Sequence, residues 1–284
     1  MIDVSWGMAT DVGLVRATNQ DDAFAAPGLF VVADGMGGHA GGEEASALAI
    51  AAFARLAAAR PASLADGAEG GGGDGTFDAG EVLGAIERAN AAILAAANVS
   101  AARRGMGTTV VGLALVGDPA YWLVFNVGDS RLYRMGGNGL EQLTVDHSAV
   151  GELVAARAIT PDEAATHPHR HMLTRALGSD PAPAADCWTF CPVPGETFLL
   201  CSDGLYRSVP HESLTALLAS GADAATLIAA ANAAGGTDNA TAIVVRVAGA
   251  PADDSPYPRT GVEPADASTN PRTPDVATAG GGGA

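Results

Sequence analysis

The chain has 284 residues, 48% of them hydrophobic, enough for a sizeable core in one large domain or two small ones. Its formal net charge of −17 opposes binding to nucleic acid or to anionic membranes, both of which call for basic surface. It contains no lysine, which excludes phosphate-loop, kinase and Schiff-base lysines together, and Cys187, Cys191 and Cys201 form no C-x-x-C pair for a disulfide framework or zinc knuckle.

Residues 1–15 read as a strand with a polar bend at Thr10-Asp11. The opening Met1-Ile-Asp-Val-Ser-Trp lacks the basic and apolar regions of a secretion signal, and the apolar runs break at Arg55 and Asp118 before membrane-spanning length, so a cytoplasmic protein is expected. Arg16 to Asp22 is too polar for a core, and Ala23 to Phe30 leads into Phe30–Ala33, apolar without alternation, as in a strand covered on both faces. That strand ends on Asp34 and opens into Gly35, Gly37, Gly38, Gly41 and Gly42, which tolerate backbone angles other residues resist. A helix follows, with Glu43 and Glu44 in its first turn and Ala45, Leu48, Ala49, Ala52, Phe53 and Leu56 on one stripe. Residues 60–80, rich in Gly, Ala and Asp, predict a mobile surface loop. A second helix carries Val82, Ile86, Ala89 and Ile93 on one face and ends near Asn98.

Gly105-Met-Gly-Thr-Thr109 opens a strand to Val116, Gly117-Asp-Pro119 turns it back, and Tyr121–Val127 completes a hairpin that ends at Gly128-Asp129-Ser130-Arg131. Leu132–Met135 is a further strand, closed by the turn Gly136–Gly139. From Thr144 to Gly178 the pattern is short helices, one starting at Thr160-Pro161-Asp-Glu163, in a helical excursion from the sheet. His147 lies there, and His167, His169 and His171 alternate so that an extended segment would put three imidazoles on one face, a zinc arrangement to set against a solvated loop. Phe198–Cys201 delivers Asp203-Gly204, helices start near His211 and Asp223, and Gly235-Gly-Thr-Asp238 leads into a last strand, Ala242–Val247. Residues 249–284, dominated by Pro, Ala, Thr, Asp and Gly, are expected to form a disordered tail.

Asp34, Asp129, Asp203 and Asp238 thus lie next to apolar strands, and Asp21 adjoins the entry to another. If those ends share one sheet edge the acids converge, and clustered carboxylates stay ionised only where cations offset their repulsion. Oxygen-only ligands select Mg²⁺ or Mn²⁺ over zinc, and two such ions can lower the pKa of a shared water and clamp a phosphoryl group. Arg16, beside Asp21, could hold phosphate oxygens bidentately. A rival chemistry is written in Cys201-x5-Arg207, the spacing by which a thiolate and an arginine share a phosphate loop, although Asp203 within it would repel phosphate and no base adjoins the thiol.

The motifs Arg16-x-x-Asn-Gln-Asp21, Val32-Ala-Asp-Gly-Met-Gly-Gly-His39, Gly105-Met-Gly-Thr-Thr109, Val127-Gly-Asp-Ser-Arg131, Leu173-Thr-Arg-Ala-Leu-Gly178, Cys201-Ser-Asp-Gly-Leu205 and Asp238-Asn-Ala-Thr241, in this order, resemble the metal-dependent type 2C serine/threonine protein phosphatases, especially their bacterial branch. The resemblance implies an α+β, four-layer αββα sandwich: two antiparallel β-sheets flanked by helices, in a catalytic domain over 1–248 with a small helical flap at 147–170. Asp34, Asp203 and Asp238 would hold a first Mn²⁺ or Mg²⁺. Asp34 would bridge to a second, completed by the Gly35 carbonyl and by waters near Gln20 and Asp21, and Asp129 with Asp203 would offer a third, weaker site. Arg16 would bind the substrate phosphate, and a metal-bridging hydroxide would attack without a phosphoenzyme. The substrates implied are phosphoserine and phosphothreonine proteins opposing a Ser/Thr kinase in signalling, with the enzyme a monomer. Two positions depart from the family pattern: Gln20 stands where many members carry Glu, and Met36 stands where other branches place a proton-donating histidine, which leaves His39 as the candidate donor. A non-catalytic phosphoprotein-binding pseudophosphatase is the remaining alternative.

Overall fold

The computed structural model describes residues 2–37, 41–59, 76–100, 103–137 and 139–249. In chain order its elements are β1 (Asp3–Asp11), β2 (Asp21–Ala26), β3 (Leu29–Met36), α1 (Gly41–Ala58), α2 (Ala79–Ala97), β4 (Gly107–Thr108), β5 (Val110–Val116), β6 (Tyr121–Val127), β7 (Arg131–Gly136) and β8 (Gly139–Gln142). There follow α3 (Ala149–Ala155), α4 (Pro161–Thr166), β9 (Asp186–Phe190), β10 (Thr197–Cys201), α5 (Asp203–Ser208), α6 (His211–Ala219), α7 (Ala224–Ala233) and β11 (Ala240–Gly249). Antiparallel pairing builds two sheets, one ordered β1-β11-β10-β7-β8 and the other β2-β3-β5-β6-β9, with β4 paired to the end of β3.

Three apolar clusters make this a four-layer αββα sandwich. Because successive strand residues point to opposite faces, Phe30 and Val32 of β3 enter the space between the sheets while Leu29, Val31 and Ala33 meet α1 and α2. β11 divides in the same way, with Ile243, Val245 and Val247 between the sheets and Ala242 and Val244 under α5, α6 and α7. The middle layer is aromatic at its heart, where the Trp122 ring lies 5.7 Å from Phe198 and 6.4 Å from Phe30. On the outer face of the second sheet Phe125 lies across Gly112 and stacks at 5.3 Å on Phe53 of α1, an approach that any side chain at position 112 would block. Burying Phe53 completely contributes about 2–3 kcal/mol.

The structure departs from the sequence reading in four places. Residues 21–36 form a hairpin that turns at Pro27-Gly28, and β3 runs past Asp34 to Met36 because β4 pairs with its last two residues. The short strands β8 and β9 lie at sheet edges, where half-exposed residues carry little apolar signal. Phe77, inside the stretch read as a mobile loop, is buried and bridges to Val116. Asp203 does not end a strand but opens a helix, α5, two residues after the last residue of β10. The excursion at 147–170 does contain two helices, the second started by a capping box in which Thr160 and Glu163 bond each other's backbone N–H. His39, residues 60–75 of the glycine-rich segment and residues 250–284 of the tail lie outside the described residues.

Candidate metal centre

The β2–β3 register sets Asp21 directly opposite Asp34. Asp21 is buried and accepts a 2.7 Å hydrogen bond from Ser202 Oγ, so an acid of one sheet is fastened to the residue that follows β10 in the other. Ser202 Oγ in turn accepts from the Thr241 N–H at 3.0 Å, on β11 just past Asp238. Asp203 begins α5 one residue further on, and Asp129 lies in the turn between β6 and β7, buried. The five acids therefore arrive from both sheets at one end of the sandwich.

Their electrostatics show how close they are. Burial raises the Asp34 carboxyl well above the ordinary range, and Asp21, Asp203, Asp129 and Asp238 each push it further. Asp21 is driven up to about 7 by burial, against the Ser202 and Thr241 hydroxyls and with Asp203 and Asp238 adding to the rise. Asp129 also reaches about 7, from burial and Asp203 against the opposing pull of Arg207. Asp203 is raised by burial, again against Arg207. So many buried acids facing one another fit hard, oxygen-seeking divalent cations, and nothing in the donor set suits zinc.

Neutral side chains hold this arrangement; they stand within the sequence motifs or, for His147, in the helical excursion, but the sequence alone assigns them no role. Asn239 donates to Val12 O at 2.9 Å and Thr18 O at 3.0 Å and accepts from Gln20 N–H at 2.9 Å, pinning the Arg16–Gln20 segment beside Asp238. Thr109 Oγ1 accepts from Asp34 N–H at 3.0 Å and shares a 2.7 Å bond with Ser130 Oγ, joining the Asp34 strand to the Asp129 turn. His147 is buried: its Nδ1 accepts from Gly128 N–H at 3.1 Å, which leaves Nε2–H for Asp186 Oδ2 at 3.0 Å and braces the same turn from behind. Ser130, Ser202 and Asn239 adjoin Asp129, Asp203 and Asp238 in the sequence, whereas Thr109 adjoins no acid and stands only in the motif Gly105-Met-Gly-Thr-Thr109. Gly35 is wedged between Gln20 O and Gly42 O, where a Cβ has no room.

Two arginines reach the acids. Arg16 Nη2 meets Asp238 Oδ2 at 2.8 Å, a pair 52% and 35% exposed, and so a weak and easily opened contact. Arg207 spans Asp129 Oδ2 at 2.9 Å and Asp203 Oδ2 at 2.7 Å. Among the described residues no three acids, histidines or cysteines are drawn together tightly enough to hold an ion as they stand.

The rival chemistries do not fit the geometry. Cys201 is fully buried in β10, burial pushes its thiol far up, and Arg207 faces the acids, so the Cys201–Arg207 phosphate loop is excluded. The zinc arrangement fails as well, because residues 168–171 form a turn and His147 is engaged with Asp186 and Gly128. His171 instead sits on Arg207, and burial and that neighbouring cation lower its pKa.

Known proteins share this architecture. A sequence model of protein phosphatase 2C matches residues 15–237. The serine/threonine protein phosphatase PstP of Mycobacterium tuberculosis is 38% identical over 244 residues, 84% of this chain but only 44% of that protein's length. The serine/threonine phosphatase stp of Listeria welshimeri is 34% identical over 250 residues, which cover 83% of this chain and 93% of its own length. Among solved structures, the catalytic domain of PstP in complex with two manganese ions superposes with a TM-score of 0.73 at 34% identity, over 88% of this chain and all of that one. With the family model spanning most of the sequence and the same two-sheet sandwich beneath it, this chain belongs to the protein phosphatase 2C family.

Proposed function

We propose that the domain over residues 1–248 hydrolyses phosphoserine and phosphothreonine in proteins, with Mn²⁺ or Mg²⁺ held at the acid cluster. The observation that carries this reading is the convergence of Asp21, Asp34, Asp129, Asp203 and Asp238 from both sheets, with burial and mutual repulsion raising four of their carboxyls. The similarity to named protein phosphatases, one of them with two manganese ions, supports the substrate class and the metal.

Asp34, Asp203 and Asp238 are assigned to the first ion; Asp34 with the Gly35 carbonyl and the Gln20–Asp21 neighbourhood is assigned to the second. Bound there, the ions supply a lowered pKa for a shared water and neutralise charge on the phosphoryl group. The chain's own residues do the rest. Arg16, exposed and able to leave Asp238 at little cost, presents its planar fork to the phosphate oxygens. Asn239 fixes the segment that carries Arg16, and the Thr109–Ser130 pair keeps Asp34 and Asp129 in register. Gln20 in place of an acid leaves the second position less negative. His39 is the assigned proton donor to the leaving group.

The opposing enzyme is a Ser/Thr kinase, and a monomer suffices because every assigned residue comes from one chain. The three cysteines are free, and among the described residues no helix is long and apolar enough to cross a membrane; a cytoplasmic location accords with both.

Hydrolysis of p-nitrophenyl phosphate and a phosphothreonine peptide, each with Mn²⁺, with EDTA and after iodoacetamide, tests the proposal. Turnover of both that needs Mn²⁺ and survives alkylation is the expected result. Activity that persists in EDTA, or silence with every metal, would refute it.

A further inference from the structure

The dinuclear reading leaves one pair of acids, Asp129 and Asp203, already bridged. Arg207 lies four residues after Asp203 in α5, so the helix itself returns its side chain over that carboxylate. Nη1 reaches Asp203 Oδ2 at 2.7 Å while Nη2 reaches Asp129 Oδ2 at 2.9 Å, so one planar group lies between the two carboxylates. The same guanidinium turns outward to the flap, where Nη1 meets His171 Nδ1 at 2.7 Å and Nη2 the Arg170 carbonyl at 3.4 Å.

We infer that Arg207 is a built-in cation that takes the place of a third divalent ion between Asp129 and Asp203 and fastens the 167–172 segment of the flap to the metal centre. The inference rests on the proposed phosphatase reading and corrects one part of the sequence expectation, the third site on these two acids. Each acid directs one oxygen at a guanidinium nitrogen, and a divalent ion sharing both carboxylates has to expel a permanently charged group from the place where it would bind. Exposure separates this arginine from Arg16: the Arg207 side chain is 31% exposed against acids only 7% and 17% exposed, whereas Arg16 and Asp238 are both far more open. Helix α5 is also held from below. Tyr206 OH donates to the Asp129 carbonyl at 3.0 Å, and its ring is covered by the Arg131 guanidinium at 3.6 Å, itself forked onto Asp146. Arg207 is therefore a positioning residue whose charge is always present, and flap attachment does not depend on metal concentration.

Equilibrium dialysis against Mn²⁺, with the bound metal counted per chain, tests this in the wild type, Arg207→Ala and Arg207→Gln, the glutamine retaining bulk without charge. Two ions in the wild type and three in either variant is the expected result. Hydrogen exchange of the 167–172 amides, read on the same metal-loaded samples, should be about tenfold faster in the variants, the loss expected for one charge-assisted contact. Three ions in the wild type, or two in all proteins, would overturn the inference while leaving the dinuclear reading intact; unchanged exchange at 167–172 would overturn the flap attachment. A wild type that binds no Mn²⁺ would refute the underlying reading and the inference with it. The wild-type count stands even where a variant fails to fold.

Discussion

Raising the pH of the metal-free protein should destabilise it, against the usual expectation that acids favour the folded state on the alkaline side. Asp21 and Asp129 have native pKa values of about 7 against an ordinary 3.8, so the folded chain binds protons more tightly than the unfolded one. Their contribution to stability is complete below the unfolded value and is lost as pH rises through the folded one. Integrated from about pH 5.5 to about pH 8, each group costs about 2 kcal/mol, and the two together about 4 kcal/mol. Asp34 and Asp203, also raised, act in the same direction. Asp186 has a lowered pKa, but its window lies below the ordinary carboxylate range and does not offset the decline; His171, whose pKa is lowered by burial and by Arg207, contributes stability as pH rises and offsets a part of it. At ~2–4 °C per kcal/mol for a domain of this size, the melting temperature in EDTA should fall by roughly 10 °C over this interval. Scanning fluorimetry or calorimetry at several pH values, in EDTA and in saturating Mn²⁺, measures it. The Mn²⁺-induced rise in Tm should be greater at pH 8 than at pH 5.5, because cations replace the protons that the acids otherwise require. A metal-free Tm that is flat or rises from pH 5.5 to pH 8 would show that these carboxyls do not carry raised pKa values, and the electrostatic account of the site would fail.

Arg16→Ala should raise KM for a phosphothreonine peptide about tenfold, with kcat changed much less and Tm within about 1 °C, since the arginine is exposed; an unchanged KM removes Arg16 from phosphate binding. Asp34→Asn should lower Mn²⁺-dependent turnover more than about a hundredfold and at the same time raise the metal-free Tm, because it deletes the acid on which four others press. Wild-type turnover in that variant, or a lower Tm, contradicts the assignment. His147→Ala should cost about 2–4 kcal/mol in urea unfolding, since it empties a buried site and leaves the Gly128 N–H without its partner; a loss under about 0.5 kcal/mol would mean the ring does not brace the Asp129 turn.

Asp34, Asp129 and Asp203 were legible in the sequence because each follows closely on an apolar run, where an acid has few structural reasons to be; Asp21 and Asp238 stand in polar segments and were legible only as neighbours of strands and as members of the ordered motifs. The doubly covered strand Phe30–Ala33 was legible as well, being apolar at every position. What could not be read was pairing between distant segments. Nothing in the local sequence around Ser202 says that its hydroxyl closes on Asp21, 181 positions earlier, or that Asn239 ties Thr18 and Gln20. Of the two readings of the alternating histidines, zinc required extended backbone, for which a period of two is the evidence; residues 168–171 turn, and the loop reading is the one that remains. Arg207 was legible only as the end of a C-x5-R spacing; the helix that begins at Asp203 sends it back to that acid instead, and the thiol points into a core.

The distribution of neutral hydrogen bonds explains how a fold tolerates a cluster that repels itself. Every strand that delivers an acid is joined to another delivering strand by an uncharged side chain: Ser202 joins β10 to Asp21 of β2 and to β11, and Thr109 with Ser130 joins β3 to the β6–β7 turn. The Ser202–Thr241, Thr109–Asp34 N–H and Thr109–Ser130 bonds involve no carboxyl group and so do not depend on protonation, while the Ser202–Asp21 bond favours the ionised acid. The repulsion then cannot be relieved by the acids drifting apart, since that would break bonds worth about 1 kcal/mol each and open the aromatic layer between the sheets. Relief has to come from outside, as a proton or a cation. In a site built in this way the repulsion among the acids favours the binding of a cation, and the apolar core holds the acids where that repulsion persists.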